Sequence, residues 1–386
     1  MNVHLPTVLI LIMILYGAAN YYVGLRAWQS FHRTPLRIYC LFIFGLLAFA
    51  YPLGSLGQVM LPSSFSDNLA LAGSFWLAMI YYLFFFTLFI DFLRFIDKRK
   101  AFLPMSLKNR SGLTAAIVFF ATAILISYGA WNARHPVTIN YEITIPKTAG
   151  SLESLQVVMV ADLHLGKTIG NNRLTKLVNR INQLEPDIIL LAGDIIDNKV
   201  DVLPSQHMIE NFNRLHPKLG TYAILGNHEY FDQKPDLAIQ YLEQSNIHVL
   251  RDQWTLIADS IYLVGRDDAS RQRYTGLSRQ DLASIMTAVN RSAPILLLDH
   301  QPSSLQDAVD QGVDLQLSGH THLGQLFPNN FITRKVYELD WGYLRRENLQ
   351  AIVSCGVGTW GPPVRIGNHP EIINLTIHFE KPGSNQ

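Results

Sequence analysis

The stretch LLAGDIIDNK, residues 190–199, decides the fold. Apolar residues run from Ile188 to Leu191, as a buried strand would. The chain then turns at Gly193 and presents Asp194 and, three residues on, Asp197. A bare buried carboxylate is costly. Either these acids face solvent or something positive sits at the end of the strand. The choice rests on whether other strands of the chain end the same way.

Four others do. VVMVADLHLG leaves its strand with Asp162 and His164, and YAILGNHEY leaves with Asn227, His228 and Glu229. ILLLDHQP leaves with Asp299 and His300, and LQLSGHTHLG with His320 and His322. In an open α/β sheet, loops beyond the carboxyl ends of the strands gather at one edge, where ligands bind. Asp, Asn and His supply the oxygen and imidazole donors that divalent metals take. Singly, each block reads as readily as an ordinary turn. Together, in order and each after an apolar run, they point to a metal centre.

Around these blocks the texture alternates between short apolar runs and helix-like stretches, which predicts an α/β domain. In NRLTKLVNRINQL, Leu174, Leu177, Val178, Ile181 and Leu184 fall at helical spacing, with Asn171 or Asn172 as the N-cap. SRQDLASIMTAV reads as a helix capped by Ser278 with Asp281 three residues on.

The first third of the chain is different. Residues 5–25, 38–61, 69–90 and 113–131 are four apolar runs without Asp, Glu, Lys or Arg. Each is about 20 residues long, the length that crosses roughly 30 Å of hydrocarbon. We therefore expect a multi-pass transmembrane region over residues 1–135, a linker and first strand over 136–152, and a catalytic domain over 153–380. Arg26, Arg33 and Arg37 lie between the first two spans. Arg94, Lys98, Arg99, Lys100, Lys108 and Arg110 lie between the last two, and the loop between the middle pair carries no base. Basic loops stay in the cytoplasm, so the catalytic domain is expected on the extracytoplasmic side of a cell membrane.

Composition narrows the function. Of 386 residues, 31 are Lys or Arg and 30 are Asp or Glu, a net charge of +1 that argues against bulk nucleic-acid binding. The two cysteines, Cys40 and Cys355, exclude a disulfide framework and a Cys-rich zinc site. No ionisable Asp, Glu, Lys or Arg interrupts a span, which favours an anchor over a transporter.

The ordered set D-x-H, G-D-x-x-D, G-N-H-E, a lone H and G-H-T-H over residues 153–379 resembles the calcineurin-like metallophosphoesterase family. The surrounding wording (ADLHLG, LEPDIILLAGD, LSGHTHLGQLFP, GTWGPPVRIG) is closer still to a membrane-anchored branch with bacterial and animal members. The resemblance implies two β-sheets sandwiched between helices, and two divalent metals bridged by one carboxylate. By position, Asp194 corresponds to the bridge; Asp162, His164 and His322 complete one site, and Asn227, His300 and His320 the other. Two cations a few ångströms apart repel, and an anionic bridge offsets that repulsion. Donors of this kind accept Mn, Fe, Zn or Ni.

The resemblance further implies hydrolysis of a phosphodiester or phosphomonoester by water acidified from a pKa of about 15.7 toward roughly 7. His228 corresponds to the general acid or leaving-group stabiliser. Asp197 or Glu229 orients it, and the motif favours Asp197. Arg365 is a candidate substrate contact, with a salt-bridged surface arginine as the alternative. Asp299 is either a support for His300 or a solvated carboxylate. Two alternatives stand beside the main reading. One is hydrolysis of a lipid-linked pyrophosphate such as UDP-diacylglucosamine, although that chemistry belongs on the cytoplasmic side. The other is an inactive sensor or scaffold, against which every ligand position is intact. Oligomeric state is left open.

Overall fold

A computed structural model describes residues 5–30, 37–57, 63–108 and 112–380. Arg33, Arg110 and the end of the second expected span, 58–61, fall outside the described residues. The chain divides into two compact units, the first reaching Trp131 and the second beginning at Asn132.

Among the described residues of the first unit, four helices are long and apolar enough to cross a membrane. They are α1 (Leu5–Ser30), α2 (Arg37–Gly57), α3 (Ser63–Lys100) and, after the short turn α4 (Met105–Lys108), α5 (Gly112–Asn132). Many outward side chains, Ile38, Phe42, Phe49 and Ile124 among them, are exposed apolar groups. Such a surface suits hydrocarbon rather than water. Inside, Val23, Trp76, Ile80 and Leu83 form the core, and Trp76 Nε1 donates to Asn20 Oδ1 at 3.0 Å. A Cβ added at Gly73 would lie 2.2 Å from the Tyr51 amide nitrogen, so a small residue lets α2 and α3 approach closely. The third helix differs from expectation. It has 38 residues, not the 22 of the run 69–90. At 1.5 Å per residue it spans about 57 Å, nearly twice the hydrocarbon thickness. Hydropathy measures the apolar slab, whereas the helix continues through its charged end, DFLRFIDKRK (91–100).

Among its described residues the second unit has twelve strands: β1 (Val137–Thr148), β2 (Ser154–Val160), β3 (Ile188–Ala192), β4 (Thr221–Ile224), β5 (Ile247–Val249), β6 (Gln253–Ile257), β7 (Ile261–Gly265), β8 (Ile295–Leu298), β9 (Leu315–Ser318), β10 (Gly342–Arg346), β11 (Leu349–Val353) and β12 (Glu371–Glu380). They form two six-stranded sheets, ordered β1-β12-β2-β3-β4-β5 and β10-β11-β9-β8-β7-β6. Successive side chains on a strand point to opposite faces, and here both faces are covered. Val157 and Met159 join the core shared by the two sheets, with Leu190, Leu263, Leu298, Leu317 and Ile352. Val158 and Val160 join Leu174, Val178 and Ile181 of α6 (Asn171–Asn182). A third cluster holds Leu282, Ile285 and Leu305 against β7 and β8. Strands buried on both faces read as unbroken apolar runs, as IILLA and ILLL do here.

The parallel trio β2, β3 and β4 and the parallel pair β8 and β9 end in the five blocks found in the sequence. Two helix starts differ from expectation. Helix α6 is preceded by Gly170, not capped by Asn171 or Asn172. Asp281, not Ser278, caps the helix Leu282–Ile285, and it accepts from the Ser284 amide at 3.1 Å. An aspartate next to the first turn reaches a free N–H that a serine three residues earlier cannot.

Candidate active site

The loops that leave the strands adopt an unusual backbone. Asp162, His164, Asp194, His320 and His322 all have positive φ, between 49° and 73°. Such left-handed conformations are uncommon for residues other than glycine and cluster at functional sites. Here they turn five side chains inward from short loops. The loops are laced together: the Asp162 amide donates to Gly193 O, the His164 amide to Asp194 O and the Asp197 amide to Leu165 O, each at 3.0 Å.

Three groups of donor atoms result, each lying within 4.8 Å of one another: Asp162, His164 and His322; His164, Asp194 and His228; and Asp194, His300 and His320. His322 Nε2 is 3.2 Å from Asp162 Oδ1 and 3.0 Å from His164 Nε2. Asp194 Oδ2 is 3.2 Å from His300 Nε2 and 3.8 Å from His164 Nε2, so one carboxylate touches both outer groups. Asn227 sits at the turn after β4.

These residues fit divalent cations. Asn227 Oδ1 is buried without a hydrogen-bond partner, which is rare and costly for polar atoms, and His300 Nε2 faces Asp194 Oδ2 at 3.2 Å. His300 Nδ1 donates to Ala192 O at 2.8 Å. That bond aims Nε2 at the cluster; burial lowers the ring's pKa, but Asp194 outweighs that and raises it well above the ordinary imidazole value. Burial, followed by the charge of His300, lowers His320 to about 4. Burial likewise lowers His322 to about 4, against the pull of Asp162. Both rings therefore keep a lone pair at neutral pH. Burial opposes ionisation of Asp162, yet His322 and His300 hold it down at about 2. The donor set is carboxylate, amide and imidazole, with no thiolate.

His228 is held differently. Its Nδ1 lies 2.6 Å from the Asp197 carbonyl oxygen, to which it donates, and 3.3 Å from Asp197 Oδ1. Its Nε2 is 3.9 Å from Asp194 Oδ2, and its amide donates to Asp194 Oδ1 at 2.9 Å. Burial lowers its pKa, but Asp194 and Asp197 outweigh that and raise it to about 9. Asp197 is thus the carboxylate beside the ring. Glu229 does other work: it accepts from the amides of Gly226 at 2.6 Å, Ile196 at 2.8 Å and Asp194 at 3.2 Å. Burial and Asp194 push its pKa up to about 7.

Several residues of the site escape a search for donors. A Cβ at Gly226 would lie 2.2 Å from Asp194 Oδ1, and one at Gly356 would lie 2.6 Å from Asp162 Cβ. These glycines are required by close approach. Gly226 stands directly before its ligand block in LGNHE, whereas Gly356, in CGVG, adjoins no block and has no such signal. A sixth strand, β7, also ends in acids, Asp267 and Asp268. Asp268 is buried and accepts from Gln301 Nε2, the residue after His300, at 2.9 and 3.0 Å. Asp299 is buried between Arg266 at 3.0 Å and Arg279 at 2.9 Å. It therefore anchors the backbone before His300 instead of facing solvent.

Arg365 departs from its expected role as a substrate contact. It is fully buried, at 0% exposure, behind His322, 3.1 Å from Nδ1. Its guanidinium donates to the carbonyls of Cys355 at 2.7 Å, Gly356 at 3.1 Å and Gly358 at 2.7 Å, and to Asn368 Oδ1 at 3.0 Å. With its donors taken by the protein, the arginine braces loop 355–358 against Asp162. Arg365→Ala should strand these carbonyls at about 1–3 kcal/mol each. A fall in unfolding free energy of at least about 3 kcal/mol is expected by urea titration. An unchanged midpoint would refute the bracing role.

Comparison with known proteins follows from this geometry. Residues 155–324 match the family model described as calcineurin-like phosphoesterase. A Danio rerio protein named transmembrane protein with metallophosphoesterase domain is 34% identical over 275 residues, covering 68% of this chain and 62% of that one. The Bos taurus protein of the same name is 31% identical over 284 residues, covering 70% of this chain and 63% of its own. The chain thus spans about three fifths of these vertebrate relatives. An uncharacterized metallophosphoesterase of Campylobacter jejuni is 31% identical over 385 residues, covering 96% of this chain and 98% of that one.

Proposed function

The chain belongs to the calcineurin-like phosphoesterase family, and from that premise we propose that it is a membrane-anchored, two-metal phosphoesterase. The observation that carries this reading is Asp194 reaching both outer donor groups through one carboxylate oxygen. Members of the family generally use two divalent metals, and the unpartnered Asn227 oxygen fits that use. Asp162, His164 and His322 would hold one cation and Asn227, His300 and His320 the other, with Asp194 shared. When bound, the cations polarise the phosphoryl oxygens and acidify the attacking water.

The chain's own residues do the rest. His228 hands a proton from Nε2 to the departing alkoxide, because its Nδ1 is engaged with Asp197 and fixes the ring edge. Glu229 keeps the loops of Asp194 and Asn227 in register through three amide bonds. Full-length protein loaded in turn with Mn, Zn, Mg and Ni should hydrolyse chromogenic phosphodiesters or phosphomonoesters, and EDTA should abolish the activity. Hydrolysis that persists after complete metal removal would exclude the reading.

A second substrate class, lipid-linked pyrophosphates, is favoured by one feature. The helix Asn330–Val336 exposes Phe331, Ile332 and Val336 and packs against the turn His322–Gly324. Acyl chains would meet an apolar surface beside the metal ligands. Hydrolysis of a lipid pyrophosphate in preference to its deacylated analogue would support that class.

The membrane placement follows the basic residues. Arg26 and Arg37 follow the first apolar run, and Arg94, Lys98, Arg99, Lys100 and Lys108 follow the third. These flanks belong in the cytoplasm, which puts the catalytic domain outside. A C-terminal alkaline phosphatase fusion should be active and a C-terminal green fluorescent protein fusion dark in bacteria. The opposite pattern would reverse the topology and strengthen the lipid pyrophosphate class.

A further inference from the structure

A row of aromatic rings runs from the candidate ligand His164 to the surface through His228. The rings of His164 and His228 meet with centroids 4.4 Å apart, those of His228 and Phe231 at 4.2 Å, and those of Phe231 and Tyr274 at 5.6 Å. Exposure rises along the row: His164 is 1% exposed, His228 9% and Phe231 37%. Local structure explains the order. His228–Tyr230 is a 3₁₀ turn, and the Phe231 amide that follows it donates to His228 O at 3.0 Å. Three residues per turn put positions i and i+3 on one face. Phe231 therefore leans on His228, while Tyr230 between them is buried and bonded to Asp267. Tyr274 comes from a separate element, the short helix Arg271–Thr275, and packs half-buried against the core that holds Tyr230.

A lone exposed phenylalanine needs no explanation. This one touches the group that hands over the proton. The oxygen that takes the proton must come within about 2.6–3.2 Å of His228 Nε2, and the phenyl centroid lies 4.2 Å from that of the imidazole. A charged or strongly hydrated leaving group would lose water against such a wall. A further ring would gain. Aromatic pairs settle offset-stacked or edge-to-face with centroids about 4.5–7 Å apart, the kind of spacing that Phe231 and Tyr274 already keep.

We propose that Phe231 and Tyr274 form a leaving-group subsite that selects phosphoesters of aromatic alcohols. The departing ring packs on this wall, stacked or edge-on, with its oxygen at His228 Nε2. Water adds to phosphorus, the bond from phosphorus to the aryl oxygen breaks, and the Nε2 proton departs on the alcohol. The proton released by the water returns to the imidazole through solvent. The proposal rests on the phosphoesterase reading given above.

The test uses full-length protein in detergent, loaded with the most active of the four metals. Two methyl phosphodiesters are compared, one with phenol as the leaving alcohol and one with hexafluoroisopropanol. The two alcohols are of similar acidity, so protonation by His228 serves both alike and the comparison isolates the ring. In the wild-type protein kcat/KM should favour the phenyl ester at least about tenfold, equivalent to about 1.4 kcal/mol, with the difference in KM. Phe231→Leu keeps an apolar side chain without a ring and should bring the ratio close to one. Tyr274→Leu should lower it, and Phe231→Tyr and Tyr274→Phe should preserve it. Measurable hydrolysis of the fluoroalkyl ester shows that a variant is folded. Should Phe231→Leu lose both esters, Tyr274→Leu decides, since its short helix has no buried residue. A wild-type ratio near one, or a ratio undiminished in the folded leucine variants, would overturn the subsite while leaving the phosphoesterase reading intact. Hydrolysis of neither ester by the wild-type protein would remove that reading and the subsite with it.

Discussion

Asp194→Asn is expected to lower phosphoester hydrolysis by about 10³-fold or more and to reduce bound metal from two ions to at most one. Asp194 is the carboxylate that reaches both outer donor groups, 3.2 Å from His300 Nε2 and 3.8 Å from His164 Nε2. Charge stabilisation by bound metals contributes several kcal/mol to such reactions, and each 1.36 kcal/mol is a factor of ten. An amide keeps the shape of the side chain and its bond to the His228 amide, now 2.9 Å from Oδ1. It removes the negative charge that two cations would share. The substitution separates charge from fold: circular dichroism should be unchanged, while metal content by plasma mass spectrometry and rate should fall together. Two metals retained at full rate would show that another residue bridges.

His228→Ala should lower kcat by about 10²–10⁴ with both metals still bound. The ring is buried and held by Asp197 through Nδ1 at 2.6 Å, and it packs on Phe231 with centroids 4.2 Å apart. A proton donor matters most when the leaving group is a poor one. The loss should therefore be large for an alkyl ester and small for a nitrophenyl ester. Equal losses on both would indicate that His228 binds the phosphoryl group and does not protonate the leaving oxygen. Loss of metal from the variant would instead place His228 among the ligands, an outcome its proximity to Asp194 and His164 makes worth measuring.

The sheets and the donor loops were legible because their signals are local. Each metal block follows an apolar run within three residues, and parallel pairing carries the blocks to one edge without any long-range inference. Asp197 beside His228 follows from the same motif. What was not legible depends on contacts far apart in sequence. Arg365 reads as a substrate contact or a salt-bridged surface arginine in a Gly/Pro-rich loop, and only the fold reveals that carbonyls from 355–358 consume its donors. Asp268 follows β7 with no histidine beside it, so no local pattern marks it. The pairing of Asp299 with Arg266 and Arg279 spans 33 and 20 residues, beyond any local pattern. The 38-residue length of α3 was hidden because charged residues end an apolar run without ending a helix.

The pairing of β1 with β12 has a consequence for biosynthesis. The strand that continues from α5 is matched in parallel from Val137 with Glu371 to Ile145 with Phe379, and Asn374 donates to Asn140 across 234 positions. At about 5–20 residues per second of synthesis, roughly 10–50 s separate the two. Throughout that interval β1 has no neighbour on either side, since β12 also lies between it and β2. A ribosome that stalls early therefore leaves β1 with open, adhesive edges.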